Sequence, residues 1–161
     1  MPDNANNIVE AWRPYVDGLT RAGNWQAVVA DIEPKATGCG PVYEMGSPID
    51  RPGESFAIAD MREIAYAQPH YHTNGETEIY FVLAGHGLAV VGGREEQVGV
   101  GDVIITAPNT CHYLVPRNNL VVAVINNPPF NPANNIDVDL KQSNKSVGFA
   151  REQFEKLTGV A

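Results

Sequence analysis

The sequence predicts an all-β sandwich or barrel, and three observations carry that prediction. From about Trp25 to Asn126 the chain is a succession of short apolar or alternating runs, "WQAVVADI", "SFAIADMREIAY", "EIYFVL", "GLAVV", "EEQVGV", "DVIITA", "HYLV" and "LVVAVIN", each ended by Gly, Pro or Asn. Gly92-Gly93, between "LAVV" and "REEQV", has the backbone freedom of a tight hairpin, and Gly85-His86-Gly87 bends the chain after the strand before it. No strand alternates with a long helical pattern and no repeat of fixed period is visible, which argues against a doubly wound α/β fold.

Taken in order, residues 1–24 form an extension packed on the barrel, where "IVEAW" can start a helix that Pro14 interrupts. Residues 25–126 are the barrel itself. Residues 127–161 are a tail: the prolines and asparagines of "NNPPFNPANNIDVDLKQSNK" do not sustain regular structure, while Phe130 and Ile136 anchor the segment. Val147, Ala150, Phe154 and Leu157 then recur at helical spacing, with Asn144 or Ser146 as cap and Gly159 as stop, predicting a short amphipathic helix. With 161 residues, 43% of them hydrophobic, one domain with a real core is the expectation.

Composition narrows the function. The formal net charge is -8 and no block of Lys and Arg exists to neutralise a phosphate backbone, so nucleic acid is not an expected partner. No helix-turn-helix pattern precedes the barrel, which disfavours a transcription regulator. The N-terminus lacks a basic region followed by an apolar run, and no segment approaches the ~20 apolar residues that span a bilayer. A soluble, cytoplasmic protein without a membrane partner is expected. Cys39 and Cys111 lie far apart, in no metal-ligand spacing, and read as free thiols.

The stretch "PHYHTNGETE" carries the chemistry. Side chains two apart on an extended strand share a face, so His70 and His72 converge on one point where two imidazole nitrogens can share a metal ion. After the turn, alternation puts Glu78, Tyr80 and Val82 on one face and Ile79, Phe81 and Leu83 on the other, so Glu78 is a third candidate ligand. "GDVIITAPNTCH" delivers His112 after a strand and a turn, completing a set of three imidazoles and one carboxylate with open coordination positions. His86, between two glycines, reads as a surface residue.

These motifs resemble those of the cupins, specifically a small single-domain cupin. The first reads His70-Tyr71-His72, a spacer, Glu78, "IYFVLA" and Gly85; the second reads "GDVIITAPNTCH", with Gly101-Asp102 opening a strand, Pro108 in the turn and His112 last. Together with the strands between them they cover roughly Ile64 to Val124. The spacer before Glu78 is longer than the family's usual one; Glu76 would fit it but spoil the distance to Gly85, and Glu78 continues directly into its strand. Asn109 stands in place of the usual turn glycine, a residue that tolerates left-handed backbone angles. The motif's terminal asparagine has no counterpart, Pro116 standing there. The resemblance implies a jelly-roll, or double-stranded β-helix, with short terminal helices, and a divalent transition metal (Fe2+, Mn2+, Ni2+, Zn2+ or Co2+) held by His70, His72, Glu78 and His112.

Around such a metal, an unbroken strand into His70 would place Arg62 and Tyr66 on the ligands' face. Arg62 either pairs with Asp60 or holds an anionic substrate group; Tyr80 either presents its hydroxyl to a ligand or fills the barrel. The apolar row Ile79, Phe81 and Leu83 wants cover, which the terminal segments or a second copy in a homodimer would provide. The expected function is a metal-dependent enzyme acting on a small polar or carbonyl-containing molecule. Ligand type leans toward dioxygenase-like chemistry; isomerase, lyase or decarboxylase chemistry on a sugar or small acid is the alternative, and a non-catalytic small-molecule-binding barrel the third.

Overall fold

The computed structural model describes residues 24–45 and 53–139. The extension up to residue 23 and the C-terminal helix expected from Val147 to Leu157 lie outside the described residues. The chain divides into two compact units, residues 1–31 and 32–161.

In the first unit, Trp25–Val28 is a single helical turn, α1. The strand expected for "WQAVVADI" gives way to it because Asn24 is an N-cap, its side chain accepting from the Ala27 backbone N–H at 2.9 Å.

The second unit is the all-β barrel that the sequence predicts. Its strands are β1 (Lys35–Thr37), β2 (Gly40–Glu44), β3 (Ser55–Asp60), β4 (His70–His72), β5 (Thr77–Val91), β6 (Arg94–Gly99), β7 (Val103–Thr106), β8 (His112–Asn127) and β9 (Asn135–Asp137). All pairings are antiparallel. The sheet runs β1-β2-β3-β8-β4-β9, with β5 joined to β6, β7 and β8. The two long strands set the curl, since β5 and β8 pair from Thr77↔Asn127 to Val91↔His112.

Several local readings change. Gly85-His86-Gly87 does not end a strand; β5 passes through it with register shifts, so the glycines serve β-bulges that bend one continuous strand. "HYLV" and "LVVAVIN" likewise fuse into β8, with Asn119 left-handed at φ 49° between them. Gly92 and Gly93, at φ 56° and 80°, do form the tight turn between β5 and β6. Beyond Asn127 the chain is more regular than its composition suggests. A turn of 3-10 helix, Pro132–Asn134, leads into β9, which pairs with β4. Ile136, expected to anchor this segment, is exposed on β9.

The largest correction concerns the segment before His70. The strand expected to run from Ser55 into the histidines stops at Asp60, and 61–69 is a loop. The cause is local: Asp60 turns its carboxylate back onto Arg62, accepting from Nε at 2.8 Å and Nη2 at 2.6 Å and from the Arg62 backbone N–H at 3.2 Å. Burial alone would raise the Asp60 carboxyl, but the hydrogen bonds and charge of Arg62 outweigh it and hold it below its ordinary value. A depressed carboxyl stabilises the fold above its unfolded pKa and loses that contribution as pH falls through the folded value. The variant Arg62→Met is therefore expected to lose on the order of 1 kcal/mol at neutral pH, little because the Arg62 side chain is about half exposed and the pair is screened by solvent. That difference should close below about pH 4, as followed by urea unfolding.

Inside the barrel, Tyr80, Val82, Ile104, Tyr113, Leu114, Leu120, Val122 and Val124 belong to one apolar cluster. Phe81, Leu83, Val103 and Ile105 stand on the outer face of β5 and β7 and are exposed, so the predicted alternation holds and the apolar outer row is real. Among the described residues no helix is long and apolar enough to cross a membrane.

Candidate metal centre

Three elements bring the predicted ligands together. On β4, His70 and His72 point inward, and His70 lies opposite the first residue of β8, His112. The chain then reverses through Asn74 and Gly75, both at positive φ (56° and 76°), with the Glu76 backbone N–H donating to the Thr73 carbonyl at 3.1 Å. These are the features of a type I′ turn, which Asn-Gly favours, although the strands it joins pair with other strands and not with each other. From that turn β5 carries Glu78 inward. The second motif docks on the same strand as the two histidines: Asn109, left-handed at φ 60°, donates its backbone N–H to the His72 carbonyl at 2.7 Å.

His70, His72, Glu78 and His112 are all buried, and one ligand atom from each lies within 4.8 Å of the others. Glu78 Oε2 is the common point, at 2.7 Å from Nε2 of His112, 3.3 Å from Nε2 of His72 and 3.8 Å from Nε2 of His70. Donors on one ion at ~2.1 Å would stand about 3 to 3.4 Å apart, which these spacings bracket. Of the three ligand histidines Glu76 meets His72 from its other side, Oε1 lying 3.3 Å from Nδ1, and the carboxylate grouped with them is that of Glu78.

The tautomers follow from what each Nδ1 meets. His70 Nδ1 is 2.7 Å from the Gln68 carbonyl and His112 Nδ1 is 2.8 Å from the Thr110 carbonyl. A carbonyl oxygen can only accept, so both Nδ1 atoms carry hydrogen, and in the neutral rings both Nε2 lone pairs face the cluster. Lone pairs aimed at a carboxylate repel it unless a positive charge lies between them. His72, 2% exposed, has neither ring nitrogen in a made hydrogen bond. This orphaned imidazole among convergent donors is what a bound cation would satisfy, and the donor set fits a divalent transition metal. Burial alone would raise the Glu78 carboxyl; only if the rings were protonated on Nε2 would their hydrogen bonds, that of His112 first, hold it well below its ordinary value in the absence of an ion.

Beside the cluster lies a cavity of about 260 Å³. Its polar lining includes His70, Glu78, Tyr80, Gln68, Asn126 and Asp137, and its apolar lining includes Val42, Ala59, Met61, Val124, Phe56 and Phe130. The Tyr80 hydroxyl donates to Glu78 Oε2. Burial, then the charge of Glu78, pushes that phenol well above its ordinary pKa, so it keeps its proton. Tyr66 packs against the core and Arg62 is held by Asp60, and neither lines this cavity. Cys39 does line it, but burial and the nearby carboxylates Glu78 and Asp137 push its thiol up to about 12, making it a poor nucleophile. Both cysteines are free thiols, as the sequence suggests.

Two contributors escaped sequence reasoning. Asn126, 4% exposed on β8, donates through Nδ2 to Glu78 Oε1 at 3.1 Å and to Glu76 Oε1 at 3.0 Å. Its signal was available, since it is the lone polar residue in register with the inward-facing Val122 and Val124. Phe130 was expected to anchor the tail but not at the site; it packs edge-on to His72 with ring centroids 6.0 Å apart.

The barrel closes on a buried cluster of three histidines and one glutamate, and residues 58–125 of it match the family model described as "Cupin domain". This barrel is a cupin barrel. No curated protein matches the chain in sequence. Among solved structures, Pac13, described as a unique nucleoside dehydratase, is 18% identical, with 74% of this chain covering 92% of that one at a TM-score of 0.59. A Streptomyces Pac13 variant with uridine is 17% identical over 74% of this chain and 91% of that one, TM-score 0.59. A protein from Planctomyces limnophilus is 23% identical over 74% and 98%, TM-score 0.59. At these identities the likeness is one of fold.

Proposed function

We propose that the protein is a metal-dependent enzyme acting on a small polar or carbonyl-containing molecule, by proton-transfer chemistry of the lyase or isomerase kind. The observation that carries this reading is the Tyr80 hydroxyl, a buried proton held on Glu78 at the wall of a cavity that also touches the metal ligands. When bound, a divalent metal supplies Lewis acidity toward substrate oxygens. His70, His72, His112 and Glu78 would hold it, the apolar wall excludes water around the substrate, and Tyr80 passes its proton only to a departing or developing oxyanion more basic than its own phenolate, the proton that the substrate releases restoring the phenol. Glu78, ionised, receives the hydrogen bond of that phenol in the resting state and so fixes its direction. The dehydratase named among the similar folds catalyses an elimination, which is compatible with this reading and lends it no more than fold-level support.

Dioxygenase-like chemistry is the second reading, favoured by the mixed imidazole and carboxylate ligand type if iron is the resident metal. One experiment separates the two. Protein reconstituted with each candidate metal is incubated with a panel of small hydroxy-carbonyl compounds, sugars and nucleosides, with and without oxygen. Turnover at equal rates in both conditions, reduced about 10²- to 10⁴-fold in Tyr80→Phe, is expected. Oxygen uptake coupled to turnover would transfer the assignment to the oxygenase reading. Thermal stabilisation by a compound that is returned unchanged would instead identify a binding barrel.

A further inference from the structure

Glu76 is more buried than any of the four ligands, at 0% exposure, and the metal cluster makes no direct use of it. Its surroundings explain the burial. Of the three histidines, two have Nδ1 fixed by the backbone carbonyl two residues earlier. His72 has no such carbonyl bond, and the oxygen facing its Nδ1 is Glu76 Oε1 at 3.3 Å. That same Oε1 accepts from Asn126 Nδ2, which also donates to Glu78 Oε1. An amide placed between two carboxylates must present its N–H groups to both, so the orientation of Asn126 is fixed by its neighbours. A chain of contacts thus runs from the His72 ring through Glu76 and Asn126 to Glu78, joining two of the four ligands from outside the cluster.

We propose that Glu76 is a positioning residue that holds the Nδ1–H of His72, leaving Nε2 free to ligate, and through Asn126 braces the carboxylate of Glu78. This rests on the metal-site reading above. The backbone supplies the equivalent hold for His70 and His112; for His72 the side chain of Glu76 does so, and it is therefore the one such contact that a substitution can remove. A carboxylate partner also makes the imidazole a better donor than a carbonyl partner does. The short Asn74-Gly75 turn is what returns the chain soon enough after His72 to put Glu76 behind its ring.

The test compares the parent, Glu76→Gln and Asn126→Ala, each with ¹⁵N-labelled histidine. Affinity for Zn2+ is read by competition with a chelator, and the imidazole tautomers by long-range ¹H–¹⁵N spectra of the metal-free and Zn2+-loaded protein. Glu76→Gln and Asn126→Ala should each bind about 10- to 100-fold more weakly. In Glu76→Gln only the Nδ1 signal of His72 should move, with those of His70 and His112 in place. Affinity within twofold of the parent, or equal movement of all three histidines, overturns the proposal. Should Glu76→Gln fail to fold, the parent spectrum decides: His72 protonated at Nδ1 in the loaded protein supports the assignment, and protonation at Nε2 overturns it. A parent that binds no Zn2+ sinks the metal reading itself, a result distinct from a parent that binds and a Glu76→Gln variant that binds equally well.

Discussion

Replacing His112 by Ala should strip the protein of stoichiometric metal while leaving the barrel folded. The reason is geometric. His112 begins β8 opposite His70, and its Nε2 is the imidazole nitrogen nearest the shared carboxylate oxygen, 2.7 Å from Glu78 Oε2. Its Nδ1 is held on the Thr110 carbonyl at 2.8 Å, which aims Nε2 at the cluster. Outer contacts to a ligand cost about 10- to 100-fold in affinity when removed, so deleting the ligand itself should weaken binding by more than about 100-fold. His72→Ala should behave alike. His86 is the internal control, because it is exposed on the bulged part of β5 and His86→Ala should retain full metal content. Metal content by mass spectrometry, with chelator competition for affinity, reads all three variants. Retention of near-stoichiometric metal by His112→Ala would remove the centre described above; equal loss in all three would mean that folding, not ligation, was being measured.

The ligands were legible in the sequence because each clue was short-range. The pair His70 and His72 needs only the two-residue period of a strand, and Glu78 needs only the continuity of "EIYFVLAG". His112 was read from the strand and turn of "GDVIITAPNTCH", and the family's second motif then supported it, because nothing local ties it to His70 across the barrel. What could not be read depended on side chains overruling pattern. Asp60 clasps Arg62 and ends a strand that alternation would have carried onward, which removes Arg62 and Tyr66 from the face of the ligands. The hairpin of β1 and β2 is built from "KATGCGPVYE", too short and too rich in glycine to register as strands, although it brings Cys39 and Val42 to the cavity wall. β9 is three residues long and follows prolines, so only its partner β4 defines it. The buried role of Glu76 follows from a turn type that "TNGE" encodes plainly, and from Asn126, half a barrel away in sequence.

Gly85→Ala should be among the most destabilising single substitutions available outside the core. Gly85 sits at φ +70° where β5 shifts register against β8. A Cβ there would lie 2.1 Å from the Asn118 carbonyl oxygen and 2.3 Å from the carbonyl carbon and oxygen of Asn119. Those atoms are backbone, so the side chain has nothing flexible to displace. Relief requires β8 to withdraw where Ala84 pairs with Val121 and His86 with Asn118, opening the ladder that curls the sheet. A loss of about 3 kcal/mol or more is expected, against a total stability of about 5 to 15 kcal/mol for a domain of this kind. Gly75→Ala separates the two causes, because Gly75 has a comparable φ of +76° but nothing within 4 Å of the point where a Cβ would stand. It should carry the conformational cost alone, roughly 1 kcal/mol. Urea midpoints of the two variants measure the difference. A Gly85→Ala variant no less stable than Gly75→Ala would show that β8 yields freely at Asn118 and Asn119, and that the glycine is there for its backbone angle and not for the close approach of the two long strands.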